Sequence, residues 1–132
     1  MLVPLLTAVA LAAGLPAGWV PVSHGPGGGG VWEGRIANRE VPSDHRPSAV
    51  YLPPGYSPAR RYPVVYLLHG MRGSPSSFWD SLRLADVADR LIADARMPPF
   101  IAVMPVAGPV VDPDEGEWWA AGRTSSSTTS CP

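Results

Sequence analysis

The residues whose types and spacing suit chemistry gather in one stretch, VVYLLHGMRGSPSSFW, Val64 to Trp79. An apolar run stops at His69-Gly70, and small residues, Arg72 and three serines follow before a helix-forming segment. A loop of that kind lets a ligand's oxygen approach backbone amides, which is electrostatic chemistry; its plain alternative is an ordinary strand-to-helix turn. His69 has the right side chain for proton transfer, but a histidine at a strand end before glycine is more often an orienting or packed residue. His69, Arg72 and Trp79 are candidates to line a substrate cleft, although a tryptophan at a helix start is commonly core. DPDEGE, Asp112 to Glu117, carries carboxylates suited to calcium but lacks a fixed ligand spacing, so it reads as a solvated acidic loop. Trp118 and Trp119 beside it have no assignable role. No metal site and no cofactor are expected.

Composition narrows the classes further. Ten basic and eleven acidic residues leave a net charge of −1, so neither a nucleic-acid face nor a disordered acidic partner segment is indicated. The single cysteine, Cys131, excludes an intrachain disulfide and a cysteine-based zinc site. The 132 residues suit one modest domain. The leader MLVPLLTAVALAAGLPAG is apolar, uncharged and rich in small residues, too short and too marked by glycine and proline for a stable membrane span. It has the apolar core of a secretory signal within residues 1–22, with small residues from Ala8 to Ala17 suited to a signal peptidase. No basic residue precedes the apolar run, so a cytoplasmic chain with an apolar leader is the other reading.

Several elements are needed to position the loop. SHGPGGGG, within residues 23–30, has the composition of a flexible linker. VWEGRIAN alternates apolar and polar residues from Val31 to Ile36, as a half-buried strand does, and a short strand at Ala49 to Leu52 is stopped by Pro53-Pro54-Gly55. Val64 to Leu68 is a continuous apolar run, predicting a strand covered on both faces in the centre of a sheet. Leu84, Val87, Ala88, Leu91 and Ile92 form an i, i+3, i+4, i+7 stripe, predicting a helix from Ser77 to Ala95 capped by Ser76 or Ser77. Phe100 to Met104 is a further apolar strand. The last three elements make a βαβ unit, so the fold class is α/β with a mostly parallel sheet, and one crossover helix leaves a sheet face uncovered.

VYLPPGYSPARRYPVVYLLHGMRGSPSSFW followed by ADRLIADARMPPFIAVMP resembles the "Putative esterase" family of α/β-hydrolases, which includes feruloyl and acetylxylan esterases, S-formylglutathione hydrolases and mycolyltransferases. The likeness runs from Val31 to Trp119 and is most specific at Tyr51 to Tyr56 and Tyr62 to Gly70. It implies the N-terminal portion of an α/β-hydrolase domain over residues 31–121. It also implies that the loop His69 to Ser76 supplies one oxyanion-hole donor, the backbone N–H of Met71, with Gly70 making the sharp turn. The family's substrate would be a small ester.

The triad that such an enzyme needs is absent. Ser74, Ser76 and Ser77 follow Gly73, yet no glycine closes a G-x-S-x-G elbow, and no histidine follows His69. The chain is therefore expected to be inactive alone: either the fragment of a secreted serine esterase, or a non-catalytic binding protein built from half a hydrolase fold. Its tail, residues 122–132, is Ser/Thr-rich where the family continues into a helix. With GC-rich codons, a shifted frame over those residues encodes Pro-Asp-Phe-Val-Val-Asp-Asp-Val-Val-Pro, consistent with a frameshift near Trp119 to Gly122. A true flexible or glycosylated tail is the competing reading. Oligomeric state is not legible in the sequence.

Overall fold

The computed structural model describes residues 14–35, 47–70 and 73–106. In chain order its elements are β1 (Val20–His24), β2 (Gly30–Gly34), β3 (Ser48–Leu52), β4 (Val64–Tyr66), α1 (Ser77–Asp80), α2 (Leu84–Ala93) and β5 (Ile101–Met104). The strands form one sheet in the order β1-β2-β3-β5-β4. The expected βαβ unit is present: β4 leaves through α1 and α2 and returns as β5, parallel, with Val64 opposite Ile101 and Tyr66 opposite Val103. The other three pairings, β1 with β2, β2 with β3 and β3 with β5, are antiparallel. The described sheet is thus mostly antiparallel, not mostly parallel, because an N-terminal meander adds three strands to one crossover unit.

The period of two along the strands sorts the core onto both faces. Val31, Ala49, Tyr51, Ala102 and Met104 point to the helix side, where Ala85, Ala88 and Phe100 complete a buried cluster. Trp32, Val50 and Leu52 point the other way and are covered by Leu15, Trp19 and Tyr56. The turn after β3 is closed by the Tyr56 N–H donating to Pro53 O at 3.1 Å, with Gly55 at φ 65°. Pro54 and Gly55 occupy the two central positions where such a turn favours them.

Several expectations change. Residues 23–30 are not a linker: Ser23 and His24 end β1, Gly30 begins β2, and the glycines between them form a hairpin. Val20 and Pro21, assigned to the leader on composition, pair with β2. The run Val64 to Leu68 is not central. β4 lies at the sheet edge, with Val64 50%, Tyr66 67% and Leu68 56% exposed. Only Leu67 of that run packs on the core. Apolar continuity marks a strand that could be covered, and it does not say which neighbour is present.

The single helix from Ser77 to Ala95 is two. Arg83 adopts the left-handed conformation, φ 51°, between α1 and α2, which no continuous α-helix admits. Neither helix has a side-chain cap: Ser76 is itself helical, and its Oγ pairs with Ser74 Oγ at 2.7 Å. Arg83 instead forms an ion pair with Asp86 in the first turn of α2. The buried face of α2 is Ala85, Ala88 and Asp89, flanked by Leu84 and Ile92, and Val87 of the expected stripe is 50% exposed. Small residues let the helix backbone lie close on the sheet, which pure hydrophobicity counting does not detect.

Candidate functional site

The candidate loop begins where β4 ends. Leu67 still donates its N–H to Val103 O at 2.9 Å, so the chain stays hydrogen-bonded to β5 one residue past the strand proper. His69 is then buried at 4% exposure. Its Nδ1 lies 2.9 Å from Gly70 O. A carbonyl only accepts, so Nδ1 carries the proton in this contact. The same Gly70 oxygen accepts the Gly73 N–H at 2.9 Å. Two donors on one carbonyl use both of its lone pairs and fix the orientation of that peptide group.

Packing around this carbonyl decides which glycine the loop requires. A Cβ on Gly70 would meet nothing within 4 Å, and its φ is not in the left-handed region, so the sharp turn expected to demand glycine at position 70 does not. A Cβ on Gly73 would lie 2.9 Å from Gly70 O and 3.4 Å from His69 Nδ1. The steric need therefore falls on Gly73, which the sequence reading passed over. The only signal for it was its place three residues after Gly70, the spacing of a closed four-residue turn.

The sequence-predicted residues fare differently. His69 has the packed and oriented role, bonded to its neighbour's carbonyl. Trp79 is half-buried in α1 and packs against the helix-side core, which is the core alternative weighed for it. Met71, Arg72, the acidic run Asp112 to Glu117, Trp118, Trp119 and Cys131 lie outside the described residues. Among the described residues no cluster of His, Cys, Asp or Glu could hold a metal ion, and no helix is long and apolar enough to cross a membrane.

A polar centre that the sequence did not announce sits on α2, against the β1–β2 hairpin. Asp89 is 1% exposed and accepts hydrogen bonds from the Tyr51 hydroxyl at 2.7 Å and from two glycine amides of the β1–β2 hairpin. Burial first, then the hydrogen bond and charge of Asp89, push the Tyr51 phenol well above its ordinary value. Tyr51 is therefore a permanent donor at any physiological pH. Nothing in the local sequence around Asp89 marks it, since its partners are 38 to 62 positions away.

Comparison with known proteins fixes the relationship. A family model described as "Putative esterase" matches residues 40–130, more than half of the chain. The chain belongs to this esterase family. An endo-1,4-beta-xylanase/feruloyl esterase of Xylanibacter ruminicola is 42% identical over 60 residues, covering 42% of this chain and 8% of that protein. Endo-1,4-beta-xylanase Y of Acetivibrio thermocellus is 35% identical over 57 residues, covering 42% of this chain and 5% of that protein. Among solved structures, a ferulic acid esterase superposes with a TM-score of 0.55 at 30% identity, covering 61% of this chain and 31% of that one. A serine-to-alanine mutant of the feruloyl esterase module from Clostridium thermocellum, complexed with sinapinate, gives 0.53 at 23% identity, covering 66% and 32%. The described residues thus form part of an α/β-hydrolase fold. The chain spans less than a tenth of the curated relatives and about a third of the solved ones.

Proposed function

We propose that this chain is the N-terminal part of a carboxylic-ester hydrolase whose loop after β4 supplies one half of an oxyanion hole, and that the chain alone hydrolyses no ester. The observation that carries the reading is the doubly bonded Gly70 carbonyl. These two bonds hold the start of the loop in one orientation. The next amide in the chain, that of Met71, is the donor that the family pattern assigns to the oxygen of a substrate carbonyl as negative charge develops on it. Gly70 contributes its carbonyl, His69 holds that carbonyl, and Gly73 keeps the turn free of a side chain. None of these residues attacks the ester; a serine, a histidine and an acid would complete the reaction by acyl transfer through a tetrahedral intermediate. Family membership makes an ester the substrate class, and the feruloyl esterase relatives make a hydroxycinnamoyl ester the first to try.

The purified chain, assayed with p-nitrophenyl acetate and methyl ferulate, should give the buffer rate. Turnover that survives further purification would overturn the claim of inactivity. The loop is tested by joining residues 31–121 to the remainder of a feruloyl esterase relative that carries the triad. In that chimera Gly73→Val should lower kcat by roughly a hundredfold with KM nearly unchanged, the size expected for one lost oxyanion donor. An equal loss in KM and none in kcat would place the loop in binding instead.

Export is part of the same proposal, with the signal cut ahead of Leu15. The support is that the apolar leader precedes Leu15, whereas Leu15 and Trp19 pack on the sheet and β1 belongs to it. The mature N-terminus of secreted protein, read by mass spectrometry, should fall between Ala8 and Leu15. Protein retained in the cytoplasm with its leader intact would refute it.

A further inference from the structure

Between Gly25 and Gly29, within the run that composition assigns to a linker, every backbone donor is accounted for. Pro26 has no N–H. Gly25 donates to Gly29 O at 2.9 Å and Gly28 to Gly25 O at 3.3 Å, closing the hairpin on itself. The remaining two amides, Gly27 and Gly29, both point at Asp89 Oδ2, at 2.8 and 3.0 Å. Asp89 Oδ1 takes the Tyr51 hydroxyl at 2.7 Å. Three neutral donors from β3 and the hairpin thus surround a carboxylate on α2, replacing the hydration that burial removes.

The fit is steric as well as polar. A Cβ on Gly25 would collide with Asp89 Oδ2 and one on Gly29 with Oδ1, while one on Gly27 would lie 3.2 Å from Oδ2. Gly28, at φ 93°, takes a conformation that only glycine adopts without strain. Each glycine of the hairpin except its turn position is therefore shaped by the carboxylate rather than by a need for flexibility. Converging amides in a concave backbone form the general receptor for anions.

We infer that Gly25–Gly29 is an internal carboxylate receptor and that Asp89 is its ligand, latching the N-terminal hairpin to the crossover helix between β4 and β5. The site is selective for a carboxylate because it offers two parallel donors to one oxygen and a phenol to the other. Emptied of Asp89, it should take a small free carboxylate such as formate.

The experiment is amide hydrogen exchange by NMR on the full chain at constant pH and ionic strength. In Asp89→Ala, exchange at Gly27 and Gly29 should accelerate at least tenfold while Val31 and Val50, in the β2–β3 ladder, keep their protection. Sodium formate should then slow those two glycines at least threefold where sodium chloride does not. Unchanged glycine exchange in the variant, or restoration by chloride as well as formate, would overturn the proposal. Should Asp89→Ala not fold, Gly29→Ala is compared in the wild-type and Asp89→Asn chains. The collision predicts that Gly29→Ala lowers the folding equilibrium constant in the wild type at least tenfold. Wild-type-like stability of Gly29→Ala would show that no carboxylate fills the hairpin, and would equally overturn it.

Discussion

At the scale of single residues, Tyr51 links burial to pH in a way that can be measured. Its phenol is fully buried, bonded to Asp89, and held above the ordinary tyrosine value. The unfolded chain releases this proton near pH 10, whereas the folded chain keeps it. Above that pH the unfolded state binds fewer protons, so stability is complete below about pH 10 and falls with rising pH by about 1.4 kcal/mol per unit. Tyr51→Phe should cost about 2 kcal/mol at neutral pH, because Asp89 loses a charge-assisted donor, and should remove Tyr51's share of the alkaline decline. Urea unfolding between pH 9 and 11 checks both; equal slopes in the two proteins would disprove the linkage. Tyr51 was legible as a strand residue from its neighbours Val50 and Leu52, but its partner was not. Hydrogen bonding across 38 positions leaves no local period to read.

At the scale of elements, α2 shows what pattern reading can and cannot deliver. Its existence followed from apolar spacing, yet its start did not, because Arg83 in a left-handed conformation breaks the chain where no glycine or proline announces it. Its end carries a similar irregularity. Ala95 has φ 54°, and the amide of Arg96 reaches back to Leu91 O at 2.9 Å, the pattern of a helix stop whose left-handed position usually holds glycine. Alanine there bears a steric cost of roughly 1 kcal/mol. Ala95→Gly should therefore stabilise the protein by about 0.5–1 kcal/mol, read as a higher urea midpoint with an unchanged m-value. A destabilised Ala95→Gly would mean that the helix continues through Ala95 in solution. The loop after β4 was legible in the same partial manner. His69-Gly70 after a strand located the turn, whereas the glycine that packing requires is Gly73.

At the scale of the molecule, the sheet has one well-packed end and one bare one. β2 and β3 are buried on both faces, but β4 presents Val64, Val65, Tyr66 and Leu68 at an edge with no strand beyond it among the described residues. The backbone reinforces this. The Pro63 carbonyl and the Leu67 amide are bonded to β5, so the alternate residues Val64 and Tyr66 turn their peptide groups outward, with no partner among the described residues. An apolar strand with free backbone groups recruits another strand, and a net charge of only −1 gives little repulsion to oppose it. A sequence reading that buries this run predicts that a charge at Tyr66 would be ruinous, since an unpaired buried charge is expensive. The exposed edge predicts the reverse. Tyr66→Lys should change unfolding free energy by less than about 0.5 kcal/mol and raise the concentration at which light scattering detects association. A loss above about 2 kcal/mol, with association unchanged, would show that β4 is covered in solution and that the bare end is closed by residues of this same chain.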